Sequence, residues 1–143
     1  MVLEIVSQIV AARGGDLIVG VEVDIAKSVE SAAEKFGLSE SPTTYFEVAP
    51  AEAKAVLRAV LAFDMAYHTE LVPMPEAERL ASEFVDTFVD EGAIYYTNGS
   101  FGAPRRSPDV GPSWTPATNA TFDTGILVLT SWRIACAWFM DED

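Results

Sequence analysis

The chain has 143 residues, half of them apolar, which is enough for one domain around one core and too apolar for a disordered segment. Its formal net charge of −13 is extreme for this length and argues against nucleic acid or an anionic membrane surface as partner. The same charge favours a basic protein, a cationic ligand or a metal ion, and it also keeps the chain soluble.

Residues 1–13 predict a helix, because Val2, Ile5, Val6 and Ile9 recur on one face and Gly14-Gly15 follow Arg13. The stretch LIVGVEVD (17–24) alternates as a strand. Leu17, Val19, Val21 and Val23 lie on one side, with Ile18, Gly20, Glu22 and Asp24 on the other. A second helix is expected from Ile25 to Phe36. Ile25, Val29, Ala32, Ala33 and Phe36 form its apolar stripe, Asp24 or Ser28 its N-cap, and Gly37 its stop.

The turn-rich SESPT leads into a short strand at 44–48. Pro50 opens a third helix running to about Tyr67, with Ala53, Val56, Leu57, Val60 and Leu61 on its core face. Pro73 and Pro75 interrupt the chain, and a fourth helix starts at Pro75 with Ala77, Leu80, Ala81, Phe84 and Phe88 as its stripe. AIYYTN (93–98) reads as strand, and residues 99–119 carry no periodicity. TGILVL and WRIACAWFM predict two final strands joined near Thr130-Ser131.

In the last strand Ile134, Cys136, Trp138 and Met140 alternate with Ala135, Ala137 and Phe139, so both faces are apolar and both require cover. The expected fold is a single α+β domain over residues 1–143. About five mostly antiparallel strands carry about four helices packed on them, with the C-terminal strand central.

The N-terminal MVLEIVSQIVAAR lacks a basic region and is broken by Glu4 and Ser7-Gln8, unlike a signal peptide, and no apolar run has the length to cross a bilayer. The expected location is the cytoplasm, which makes Asn98-Gly99-Ser100 and Asn119-Ala120-Thr121 ordinary loop residues. The single Cys136 allows no intramolecular disulfide and reads as a small buried hydrophobe. One Cys and one His rule out paired Cys/His ligands, so neither a metal site nor a cofactor is expected.

Four places carry chemistry. Phe122-Asp123-Thr124-Gly125 resembles the Asp-Thr-Gly signature of aspartic proteases, and the resemblance implies Asp123 as a carboxylate sharing a proton with a second one. The chain departs from that family: Ile126 stands where Ser or Ala is usual, and there is no second copy, so catalysis would require a homodimer. The competing reading gives Asp123 and Thr124 to backbone groups where a loop enters a strand.

Asp64 and His68 fall four apart on the third helix, the spacing at which an acid orients an imidazole, with Tyr67, Glu70 and Glu47 as possible contributors; alternatively His68 sits at a helix end favoured by the dipole. The 99–119 segment holds Pro104, Pro108, Pro112 and Pro116, the pair Arg105-Arg106, and the aromatics Phe101 and Trp114. Proline stiffening with Arg and Trp suits an interface, unless Trp114 folds onto the core and the arginines neutralise nearby acids. Finally, Asp141, Glu142 and Asp143 form either an acidic array at the rim of the sheet, joined by Asp86, Asp90 and Glu91, or a solvated end that blocks edge pairing.

Two functions follow. The first is a non-catalytic binding or inhibitor protein whose acids engage a basic protein, with Phe101, Arg105, Arg106, Trp114, Asp141, Glu142 and Asp143 as contacts. In size and charge such a chain is similar, by class alone, to the immunity proteins that neutralise bacterial toxins. The second is a small enzyme or ligand binder with a pocket near Asp64, His68 and Asp123. A homodimer fits either.

Overall fold

The computed structural model describes residues 3–102 and 111–143. The chain runs through α1 (Glu4–Arg13), β1 (Asp16–Glu22), α2 (Val29–Lys35), β2 (Phe46–Val48) and α3 (Pro50–Ala62), then α4 (Met74–Asp86), β3 (Ile94–Thr97), β4 (Phe122–Leu129) and β5 (Ile134–Asp141). All pairings are antiparallel, in the order β1-β5-β4-β3-β2.

The C-terminal strand is interior, as its two apolar faces require. Ala135, Ala137 and Phe139 face the larger core with Ile9 of α1, Leu57 and Leu61 of α3, and Leu80 and Phe84 of α4. Cys136 and Trp138 face a smaller core with Val29 and Ala33 of α2, Leu38 and Tyr45. Helices therefore cover both sides of the sheet, and the alanines of β5 leave room for helices on the more crowded side. Gly125 in β4 faces Trp138 in β5. A Cβ at Gly125 would lie 2.0 Å from the Ala137 carbonyl oxygen, so only glycine permits this approach.

Two helices are shorter than their apolar spacing predicts, for the same physical reason. The second starts at Val29, capped by Ser28 Oγ, which accepts from Ser31 N–H at 3.2 Å. Asp24 Oδ1 accepts from Ile25 N–H at 2.8 Å, and Ile25 is 70% exposed, outside the stripe it was expected to join. The third ends at Ala62, not near Tyr67. Phe63 is extended, Asp64 N–H donates to Thr69 O at 2.9 Å, and Asp64 Oδ1 accepts from Tyr67 N–H at 2.6 Å. A short acid offers the backbone a local hydrogen bond that competes with the helical one, which apolar periodicity does not register.

β3 is tied to α4 by Tyr95, whose hydroxyl donates to the Val85 carbonyl at 2.7 Å. Burial, reinforced by Asp86 and Glu91, pushes the Tyr95 hydroxyl up to about 12. Burial also raises that of Tyr45, with Cys136 and Asp123 adding to it. A neutral phenol favoured in the folded state contributes stability that is whole below the unfolded value near 10 and is lost as pH climbs through the folded value. The denaturation midpoint is therefore expected to hold up to roughly pH 10 and fall steeply towards pH 12. The phenolate absorbance of Tyr45 and Tyr95 should rise with unfolding instead of ahead of it.

Candidate functional site

Asp123 is the most connected polar side chain among the described residues. It is fully buried where β4 begins. Its Oδ1 accepts from Trp138 Nε1–H at 3.1 Å, Asn98 Nδ2–H at 3.0 Å and Ala117 N–H at 3.0 Å. Its Oδ2 accepts from Thr118 N–H at 3.2 Å and Thr118 Oγ1–H at 3.0 Å. Asn98 is held in turn by Thr124, whose hydroxyl donates to Asn98 Oδ1 at 2.8 Å. Both carboxylate oxygens are thus occupied by fixed donors, leaving no face for a second carboxylate or an attacking water. The arrangement joins the loop, β4 and β5, in keeping with the structural reading of Phe122-Asp123-Thr124-Gly125.

Asp64 and His68 do not form a helical pair. They close a turn after α3 in which Phe63 bridges Glu70 and His68 N–H donates to Asp64 O at 2.9 Å. His68 takes a left-handed φ of 56°, a region where His is tolerated better than most residues. Its exposed imidazole stacks on Phe63 at 4.2 Å, and the Asp64 carboxylate is engaged by the Tyr67 amide. The next residue of the turn, Met65, donates its N–H to Asp141 Oδ2 at 2.9 Å. Asp123 lies across from Met140, the neighbour of Asp141, so Asp123 and Asp141 point to opposite sides of the sheet. The sheet stands between Asp123 and the Asp64–His68 turn, and the expected three-residue pocket is not assembled.

The long loop is anchored at both described ends. Gly99 bridges Trp114, Ser100 N–H donates to Ser113 O at 2.9 Å, and Thr115 N–H donates to Asn98 O at 2.9 Å. Trp114 lies between Phe101, at 5.1 Å, and Phe122, at 5.3 Å. Partly buried, it folds back as one of its two readings required, and its buried Nε1–H meets no acceptor among the described residues. Arg105 and Arg106 lie outside the described residues, as do Pro104 and Pro108.

The acidic tail is not a single array. Asp141 is buried and pairs with buried Arg13 at 2.7 Å. Glu142 accepts from Thr121 N–H at 3.1 Å, and Asp143 is exposed. Glu91 pairs with Arg133, which stacks on Phe88 and Trp132. This arginine holds the Glu91 carboxyl below its usual range. Arg133 precedes β5 and Asp141 ends it, so Glu91 lies roughly 27 Å of strand away from the tail it was expected to join. Neither pairing is visible locally in the sequence: Arg13 and Asp141 are 128 residues apart.

What remains on the surface is a surplus of acid. The described residues hold 21 of the chain's 22 acids, and Lys or Arg pairs with six of them there: Asp24, Glu76, Glu83, Asp86, Glu91 and Asp141. Asp16, Glu22, Glu34, Glu40, Glu47, Glu52, Glu70, Glu78 and Asp90 are exposed. Acids also gather locally: burial raises the Tyr96 hydroxyl, and the charges of Glu47 and Glu30 raise it further. An open groove of about 640 Å³ is lined by residues that include Ile18, Leu38, Ser39, Glu40, Thr118 and Met140, beside the segment held by Asp123.

No three or more His, Cys, Asp or Glu are placed to hold a metal among the described residues, and no helix there is long and apolar enough to cross a membrane. Comparison with protein-family models, curated proteins and solved structures finds no match to the chain.

Proposed function

We propose that this protein is a non-catalytic binding protein whose acidic surface engages a basic protein partner, as immunity proteins do by class. The observation that carries this reading is the set of exposed carboxylates without a Lys or Arg partner among the described residues. Two of the three groups that would serve catalysis are already engaged, Asp123 with five donors and Asp64 with a backbone amide, and the exposed His68 imidazole stacks on Phe63 away from Asp123. A field of this sign draws a basic partner in quickly and loses its reach once salt shortens the Debye length.

Capture from native lysate at low salt, followed by a salt wash, tests this. A basic protein is expected in the wash. Once purified, its association rate should fall about tenfold or more between 50 mM and 500 mM salt. Retention of no basic protein, or a rate indifferent to salt, overturns the reading. A second reading is a small-ligand protein using the groove beside Thr118, whose volume suits a metabolite. A bound metabolite and no partner in the same experiment favours that one.

A further inference from the structure

We infer that the outer edge of β1 is the docking strand for an extended segment of the basic partner, an assignment that rests on the reading above. Among the described residues β1 pairs with β5 on one side and with no strand on the other. All five residues from Leu17 to Val21 are partly exposed. In an antiparallel ladder, alternate residues turn their N–H and C=O groups away from the partner. The described hydrogen bonds bring nothing to β1 from outside the sheet; the Cys136 thiol that meets the Ile18 carbonyl at 3.5 Å belongs to β5.

The two edges of the sheet differ. β2 has three residues, with a turn at Pro42–Thr44 before it and Pro50 after it. A short strand beside prolines blunts pairing. β1 has seven residues and contains neither proline nor lysine. Beyond it the chain continues with Val23, 76% exposed, and Ile25, 70% exposed, the highest exposures among the large apolar side chains described.

The pattern selects the occupant. On one side of β1, Leu17, Val19 and Val21 pack towards the larger core, and Val23 follows in the same alternation. On the other side, Asp16 and Glu22 stand at the two ends, with Asp24 beyond, itself in an exposed pair with Lys35 at 3.5 Å. An added strand that alternates apolar residues with Lys or Arg would match both sides. A second copy matches poorly: antiparallel self-pairing about Val19 sets Asp16 against Glu22 of the other copy, between chains of −13 each.

The test uses the full chain and two labelled peptides of identical composition, one repeating Lys-Val four times and one with its lysines and valines in separate blocks. The alternating peptide is expected to bind about tenfold tighter and to slow amide exchange within 17–23 while leaving 46–48 unchanged. Glu22→Lys, an exposed change, should weaken that binding about tenfold with no shift in the unfolding midpoint. Equal binding of the two peptides, no binding, protection elsewhere, or indifference to Glu22→Lys overturns the assignment. So does slowed exchange of 17–23 that depends on protein concentration without peptide, the mark of self-pairing. If a captured basic protein protects another surface, the edge fails and the basic-partner reading stands. If none is captured, both fail.

Discussion

Asp123→Ala is expected to lower the unfolding free energy by about 4 kcal/mol and the melting temperature by roughly 8–16 °C, although no charge pair is broken. The carboxylate is fully buried and accepts from two side-chain N–H groups, two backbone amides and a hydroxyl. Asn98 keeps other acceptors in the Thr115 and Asp123 carbonyls, but the other donors lose their described partner. An orphaned buried donor costs about 1–3 kcal/mol, with the sum reduced as the loop relaxes. Asp123→Asn should cost less, about 2–3 kcal/mol, because it preserves volume and one acceptor while aiming its own amide at other donors. Urea denaturation followed by tryptophan fluorescence measures both, with Trp138 the fluorophore that donates to Asp123. A loss below about 1 kcal/mol for the alanine variant would show that the network contributes no more than one ordinary hydrogen bond.

The second large effect belongs to Arg13 and Asp141. Their side chains are 3% and 7% exposed. Arg13 Nε also donates to the Val60 carbonyl at 3.2 Å, and Asp141 also accepts from Met65 N–H. Removing one member leaves the other as a buried, uncompensated charge. Arg13→Met and Asp141→Ala are each expected to cost about 3–5 kcal/mol. The double variant should cost far less than the sum, giving an interaction energy of about 2–3 kcal/mol in a double-mutant cycle. The exposed pair Lys35–Asp24 supplies the contrast, at about 0.5 kcal/mol or less. Additive losses for the buried pair would mean that each residue acts through its backbone contact alone.

Much of the fold was legible because it is written locally. Residues 134–140 are apolar on both faces, and a strand so made belongs inside a covered sheet. The stripe of α4 named Ala77, Leu80, Ala81 and Phe84, all of which are buried. The start of α2 was legible only as an alternative, since Ser28, which caps it, was one of two N-caps offered; Asp24 there and Asp64 after α3 divert the backbone through single hydrogen bonds that apolar spacing does not record. The candidate site was the least legible part. Phe122-Asp123-Thr124-Gly125 drew notice through its resemblance to a protease signature, whereas burial and partners from positions 98, 117, 118 and 138 determine what Asp123 does. Asp141 looked like part of a solvated tail because its partner lies at the other end of the sequence.

The register of the first strand against the last has a kinetic consequence. Asp16 faces Met140 and Glu22 faces Ile134, so each pair spans more than a hundred residues of intervening chain. β1 leaves the ribosome early and has no sheet neighbour until β5 follows. Such non-local pairing slows folding towards milliseconds to seconds. Throughout that interval a Val- and Ile-rich segment stays available to chaperones and to neighbouring nascent chains. Ribosomes stalled before residue 134 should therefore carry a chain whose first strand is still cut by protease, with protection appearing only after the final strand emerges.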